Sequence, residues 1–190
     1  VSEVTQGEVV AIDGKTLRRS FDRATGKGAI HMVSAWASAN RVGLGQQKVD
    51  EKSNEITAIP PLLRLLELKG CIVTIDAMGC QKAIARTIVE QGADYVLTLK
   101  ANHGFLYDEV QRFFRWARQR QFAEVPHHSY HTLDGEHGRI DERHYWLVSD
   151  LGWLAEKKDW AGLRSLGMVE RQGRVDGATT DGATVAFNLL

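Results

Sequence analysis

Along the chain, short apolar runs bounded by turn residues alternate with stretches where apolar residues recur every three or four positions. Val9-Val10-Ala11-Ile12 is the first run, and Asp13-Gly14 behind it is a turn signal, so the pattern predicts a buried strand that stops there. Ile30 to Trp36 and Val42 to Val49 predict two more strands, joined by Ser38-Ala39-Asn40-Arg41. These two are too close for a crossover helix, because a parallel connection needs about a dozen residues or more. The first three strands are therefore expected to form an antiparallel meander.

From Asn54 the period lengthens. Ile56, Ile59, Leu62, Leu63 and Leu66 fall at helical spacing, with Asn54 as N-cap and Glu55 in the first turn. Pro60 and Pro61 predict a restart, since proline suits a first helical position, and Gly70 the helix end. Cys71 to Ile75 reads as a fourth strand ending at Asp76. Gln81 to Gln91 reads as a helix closed by Gly92, Tyr95 to Leu99 as a fifth strand, and Leu106 to Arg120 as a third helix. The order β-β-β-α-β-α-β-α is α/β in class. It is the layout of a ribonuclease H-like mixed sheet, with a meander on one side and right-handed crossovers on the other. A doubly wound sheet would need a helix after the first strand, for which there is no room.

Past about residue 122 the pattern changes. Pro126 with His127, His128 and His131 predicts a loop. A strand-like stretch from Ile140 to Val148 follows, then a tryptophan-bearing segment from Trp153 to Leu166. The Gly-, Ala-, Thr- and Asp-rich stretch from Gly173 to Thr184 is expected as a loop. Residues 1–122 are thus expected to be the core, and residues 123–190 a mainly β insertion or extension segment.

Composition narrows the function. The 190 residues are 43% hydrophobic and 25% charged, and 24 Lys+Arg balance 24 Asp+Glu. A histone-like, purely electrostatic DNA binder is excluded, whereas binding through local basic patches is not. No apolar run approaches the roughly 20 residues of a membrane span, and no signal peptide is visible. Two cysteines, Cys71 and Cys80, make no disulfide framework and lack zinc-ligand partners at useful spacing. They suit a reducing cytosol, so a cytoplasmic location without membrane partners is expected. The start at Val1 and the apolar end Val185-Ala-Phe-Asn-Leu-Leu190 suggest a truncated piece of a longer frame.

The candidate chemistry lies in two similar runs, Val10-Ala-Ile-Asp13 and Val73-Thr-Ile-Asp76. A single Asp after a strand is usually a turn residue or a helix cap. In the expected layout, however, the first and fourth strands are neighbours, which brings two carboxylates to one sheet edge. Two such anions repel, and a hard divalent cation relieves the cost. Magnesium takes few protein carboxylates and keeps water and phosphate oxygens as its other ligands. Two ions about 3.5–4 Å apart can serve an in-line phosphoryl displacement.

Other charged residues bear on the same reading. The segment Lys15 to Lys27 holds Lys15, Arg18, Arg19, Arg23 and Lys27 against Asp22 and is expected to contact DNA. Arg112, Arg115 and Arg118 share one helix face, which could track a DNA backbone or simply be solvated. His127, His128, His131, His137 and His144 are assigned to a surface loop rather than a metal site, because their spacing fits no helix pair. Arg139 could hold a phosphate or pair with Asp141 or Glu142. Asp13, Asp76 and Lys100 together also fit a phospho-acceptor receiver module. That fold needs a helix after every strand and an acidic pair at the first strand.

Four segments carry a resemblance. They are Asp13-Gly-Lys-Thr-Leu-Arg18-Arg19-Ser, Ser53-Asn-Glu-Ile-Thr-Ala-Ile-Pro60, Thr74-Ile-Asp76-Ala-Met-Gly-Cys-Gln81 and His137-Gly-Arg139-Ile140. Together they resemble the DDE transposases of bacterial insertion sequences, in particular the ISAs-type or H-repeat-associated group, from about Val9 to Glu170. The resemblance implies a ribonuclease H-like core that cleaves and joins DNA strands at transposon ends with two Mg²⁺ or Mn²⁺ ions, working as a homodimer. Asp13 matches the first catalytic and metal-binding acid and Asp76 the second. Leu99-Lys100-Ala-Asn102-His103 is similar to the family's Leu-Lys-x-Asn-Gln, departing at His103, and Lys100 and Asn102 join Lys15, Arg18, Arg19 and Arg139 as expected DNA contacts. The family's third acid is a Glu in a helical segment resembling His-Trp-x-Ile-Glu-Asn. These residues contain no such segment, and neither Asp141 nor Glu142 is taken in its place. The expectation is a truncated, inactive transposase, with a non-catalytic DNA-binding remnant as the alternative.

Overall fold

The structure, a computed structural model, describes residues 7–17, 20, 29–49, 54–136, 139–175 and 178–190, without the side chains of 136, 139, 174, 175 and 178–185. It divides into two compact units: Val1–Leu97 with Asp159–Gly162, and Thr98–Lys158 with Leu163–Leu190.

The first unit is built on β1 (Val9–Thr16), β2 (His31–Ala37), β3 (Val42–Lys48), α1 (Glu55–Arg64), β4 (Ile72–Ile75), α2 (Lys82–Glu90) and β5 (Asp94–Leu99). Its strands lie in the order β3-β2-β1-β4-β5. Pairing is antiparallel from β1 to β2 to β3 and parallel from β1 to β4 to β5, which makes the sheet mixed. The meander is the one expected from the short gaps. Because side chains alternate along a strand, Val10 and Ile12 share a face with their partners Ala35 and Ala37 on β2 and Val73 and Ile75 on β4. All six are buried. Helix α1 covers this face, and its Leu62 Cδ1 lies 3.2 Å from where a Cβ on Gly45 would stand.

Three expectations change here. First, β1 does not stop at Asp13. Pairing with β2 continues through Asp13↔Ser34, Gly14↔Val33, Lys15↔Met32 and Thr16↔His31. The Asp-Gly turn signal yields because every further residue gains a ladder partner. Second, α1 does not restart at its prolines, and both lie inside one helix. An interior proline costs about 3 kcal/mol or more. Here that cost is offset by the Asn54 cap on Thr57 N (3.3 Å) and by burial of Ala58, Ile59, Leu62 and Leu63. Third, α1 ends at Arg64, with Leu65 as C-cap. Gly70, at φ 77°, instead makes the turn into β4, its N–H donating to Gly92 O at 2.9 Å.

The segment Asp159–Gly162 is tied to this unit. Tyr95 donates its hydroxyl hydrogen to Ala161 O at 2.8 Å, and Lys82 Nζ meets Asp159 Oδ2 at 2.9 Å.

The second unit holds a 3₁₀ turn (Ala101–His103), α3 (Gly104–Gln119), β6 (His128–Glu136), β7 (Arg139–Val148), a 3₁₀ turn (Ala155–Asp159, shared at its last residue with the first unit), β8 (Leu166–Val175) and β9 (Ala178–Leu189). Strands β6 to β9 pair antiparallel in sequence order. Helix α3 packs on them through aromatic contacts. Phe114 stacks on Phe187 at 5.6 Å, and Tyr107 meets the same ring edge-on at 5.7 Å.

Two loop expectations are overturned in this unit. His128 and His131 lie in β6 and His144 in β7; His137 is outside the described residues. The stretch Gly173 to Thr184, with 176–177 outside the described residues, is ladder rather than loop, pairing Gly173↔Thr180, Arg174↔Thr179 and Val175↔Ala178. Composition misleads there, because backbone pairing between adjacent strands does not require apolar side chains.

Candidate active site

The sheet of the first unit delivers two acids to one edge. Ile12 faces the core, so alternation turns Asp13 to the opposite, solvated face, where its side chain is 61% exposed. Lys15, two residues on and on the same face, holds it at 3.3 Å. Asp76 follows β4 directly and caps a 3₁₀ turn (Ala77–Gly79), its Oδ1 accepting from Met78 N at 3.1 Å. The parallel β1–β4 register runs to Ile12↔Ile75, so the two aspartates occupy the next position on adjacent strands. Such strands lie about 4.8 Å apart.

A further carboxylate lies beside Asp13. Spacing alone makes Glu55 a first-turn residue of α1. Its carboxylate in fact rests on Gly14, such that a Cβ at Gly14 would overlap its carboxyl group. Glycine directly after Asp13 was the available signal, since only a residue without a side chain leaves room for that carboxylate. The three acids do not form a tight trio. Among the described residues, the trio whose ligand atoms all lie within 4.8 Å of one another is His131, Glu142 and His144.

The donors at this edge suit a hard divalent cation. They are carboxylate oxygens, Asp13 and Asp76 are exposed, and exposure leaves space for water and phosphate oxygens. The nearby Cys80 thiol is no competitor. It is 0% exposed, and burial pushes its pKa up to about 12, which keeps it neutral.

The remaining expected residues are placed as follows. Lys100, exposed, precedes the 3₁₀ turn Ala101–His103 in the second unit, and Asn102 lies within that turn. Arg18 and Arg19 lie outside the described residues. Arg139 opens β7 with its backbone paired to Glu136 and Val175, and its side chain is not described. The two acids considered as its partners have others: Asp141 meets Arg171 at 2.8 Å, and Glu142 meets His131 and His144 at 3.1 Å each. On α3, Arg118 is engaged by Glu170 at 2.8 Å and lies over Trp146, and Arg120, the C-cap of that helix, lies over Trp116. These two serve packing rather than a free basic track.

Comparison with known proteins decides the family. Residues 5–159 match the family model described as Transposase DDE domain. The chain belongs to the DDE transposase family. Among its relatives, the "Putative transposase YncI" of Escherichia coli O157:H7 is 47% identical over 166 residues, covering 86% of this chain and 42% of the relative. The "H repeat-associated putative transposase YhhI" of Escherichia coli strain K12 is 43% identical over 160 residues, covering 84% and 42%. The "Uncharacterized protein in dhlA 3'region" of Xanthobacter autotrophicus is 44% identical over 168 residues, covering 88% and 55%. The chain thus spans about half the length of the curated relatives it matches. DDE transposases generally use divalent metal ions. The receiver alternative fails with this assignment and with the meander, which has no helix between β1, β2 and β3. Among the described residues, no helix is long and apolar enough to cross a membrane.

Proposed function

We propose that this chain carries the ribonuclease H-like catalytic core of an insertion-sequence transposase, which cleaves DNA and transfers strands at transposon ends. In this reading residues 1–122 carry the core and residues 123–190 an extension, and the active complex is a homodimer on DNA. The observation that supports it is the parallel register, which ends at Ile12↔Ile75 and leaves Asp13, within β1, and Asp76, just past β4, as the next residue on each. Asp13 and Asp76 are the catalytic acids and would hold two Mg²⁺ or Mn²⁺ ions. The ions supply charge neutralisation and Lewis acidity at a phosphodiester.

The chain's own groups position that chemistry. Met78 N–H fixes one Asp76 oxygen, and Lys15 steadies Asp13 while offering its ammonium to an incoming phosphate. Glu55 adds a carboxylate against Gly14. Lys15, Arg18, Arg19, Lys100, Asn102 and Arg139 contact the DNA backbone, and each phosphate contact makes binding more salt-dependent.

The test is nicking of supercoiled plasmid with Mg²⁺ or Mn²⁺, alongside gel-shift binding to the same DNA. Asp13→Asn and Asp76→Asn are each expected to lower nicking at least about a hundredfold while leaving DNA binding in place. Nicking that persists in both variants sinks the assignment. Binding without any nicking by the parent chain favours the non-catalytic remnant.

A further inference from the structure

In the second unit, two histidines and one glutamate converge on one face of the paired strands β6 and β7. His131 of β6 and His144 of β7 stand directly opposite in the antiparallel register, and Glu142, two residues before His144, shares their face. Both Nε2 atoms lie 3.1 Å from the same Oε1 of Glu142. We propose that His131, Glu142 and His144 form a binding site for one divalent transition-metal ion of the Zn²⁺ class, with a coordination position open to solvent.

Distance, donor type and strand pairing each support the site. Tetrahedral ligands with bonds of about 2.0–2.1 Å lie about 3.3 Å from one another. The two 3.1 Å separations match that edge, and all three donor atoms fall within 4.8 Å. Two imidazole nitrogens and one carboxylate oxygen suit zinc and its transition-metal neighbours, whereas magnesium prefers oxygen alone. The site is therefore chemically distinct from the acidic edge of the first unit, and it depends on no part of the transposase reading.

The side chains are already ordered for such a role. The two imidazoles stack at 4.2 Å, and His144 stacks on Trp146 at 5.8 Å. On the neighbouring strand Gln172 is opposite Glu142 and Glu170 is opposite His144; Glu170 is engaged by Arg118 at 2.8 Å. His131 and His144 are 47% and 43% exposed, which leaves the outer coordination position to water. A bound ion would clamp β6 to β7. The competing arrangement is a carboxylate accepting hydrogen bonds from two N–H groups. It needs a proton on each Nε2, where a metal needs both lone pairs, and the tautomers decide between them.

The experiment uses the whole chain, stripped with a chelator and desalted, titrated with Zn²⁺ by calorimetry and with Co²⁺ by visible absorption. One equivalent is expected to bind, giving the spectrum of tetrahedral Co²⁺. Loss of supporting groups alone costs metal sites about 10–100-fold, so His144→Ala and the shape-conserving Glu142→Gln should each weaken binding by more than about 100-fold. Asp13→Asn with Asp76→Asn should leave it unchanged, as should excess Mg²⁺. Histidine ring resonances of the parent chain provide a readout free of any folding defect: those of His131 and His144 should move on adding Zn²⁺, and those of His127 and His128 should not. No uptake, or uptake indifferent to both substitutions with unmoved His131 and His144 resonances, overturns the site.

Discussion

Glu8 illustrates how much a single residue can organise. Its side chain is buried at 3% exposure, just before β1, where it accepts from Ala39 N at 2.8 Å and Asn40 Nδ2 at 3.0 Å. It thereby anchors the β2–β3 turn, in which Arg41 holds a left-handed φ of 54°. Hydrogen bonds to a charged group are worth about 1.5–3 kcal/mol, and losing them frees the turn from its anchor. Glu8→Ala is expected to lower unfolding stability by about 2–3 kcal/mol in urea titration, and Glu8→Gln by less. An unchanged midpoint for Glu8→Ala would contradict this account. Asp13 and Asp76 were legible because each closes a short apolar run, a local signature. Glu55 was not, because its meeting with Gly14 joins a helix start to a strand distant in sequence, and nothing in either segment alone records it.

At the scale of elements, the 3₁₀ turn after β4 shows why sequence and packing must agree. A Cβ on Gly79 would collide with the Ile75 side chain and crowd Ile59 Cδ1 at 3.1 Å. Both isoleucines are core residues with no room to retreat. Gly79→Ala should therefore destabilise by about 1–3 kcal/mol, as overpacked cores do, where a glycine-to-alanine change in a permissive site would be neutral or better. Thermal unfolding compared with Gly104→Ala, whose added Cβ meets nothing within 4 Å, separates the two cases. Element order in the first unit was readable because gap lengths forbid crossover helices between the early strands. Of the later strands, β7 (Arg139–Val148) was readable from the run Ile140 to Val148, whereas β6 and the stretch from Gly173 to Thr184 were not. Histidines carry no strong strand signal, and the Gly-Ala-Thr stretch pairs through its backbone, so neither pattern announces a strand.

For the molecule as a whole, the buried ionisable groups predict how stability responds to alkali. Burial pushes the Cys80 thiol from 9.0 up to about 12, and burial together with Glu8 and Glu67 raises Cys71. Tyr95 is raised by burial and then by Cys80. A folded-state pKa above the unfolded one means that the unfolded chain loses its proton first. The stabilisation is then complete below about pH 9 and is lost as pH climbs toward the folded value, with a slope of about 1.4 kcal/mol per pH unit for each such group. Urea midpoints should hold steady up to about pH 8 and fall beyond 9, and Cys80→Ala should flatten the fall. A midpoint that stays level to about pH 11 would show these groups ionising freely in the folded state.

The amino-acid sequence by itself determined the period of each early element, the antiparallel meander, the family resemblance and the two aspartates, since all of these are written in local spacing. Tertiary structure decided the rest. It extended β1 past its turn signal, held α1 together across two prolines, set the carboxylate of Glu55 on Gly14 and gathered His131, Glu142 and His144 on one face. Each of these depends on a partner far along the chain. Burial and ladder pairing can outweigh local preference there, and no local pattern names the partner in advance.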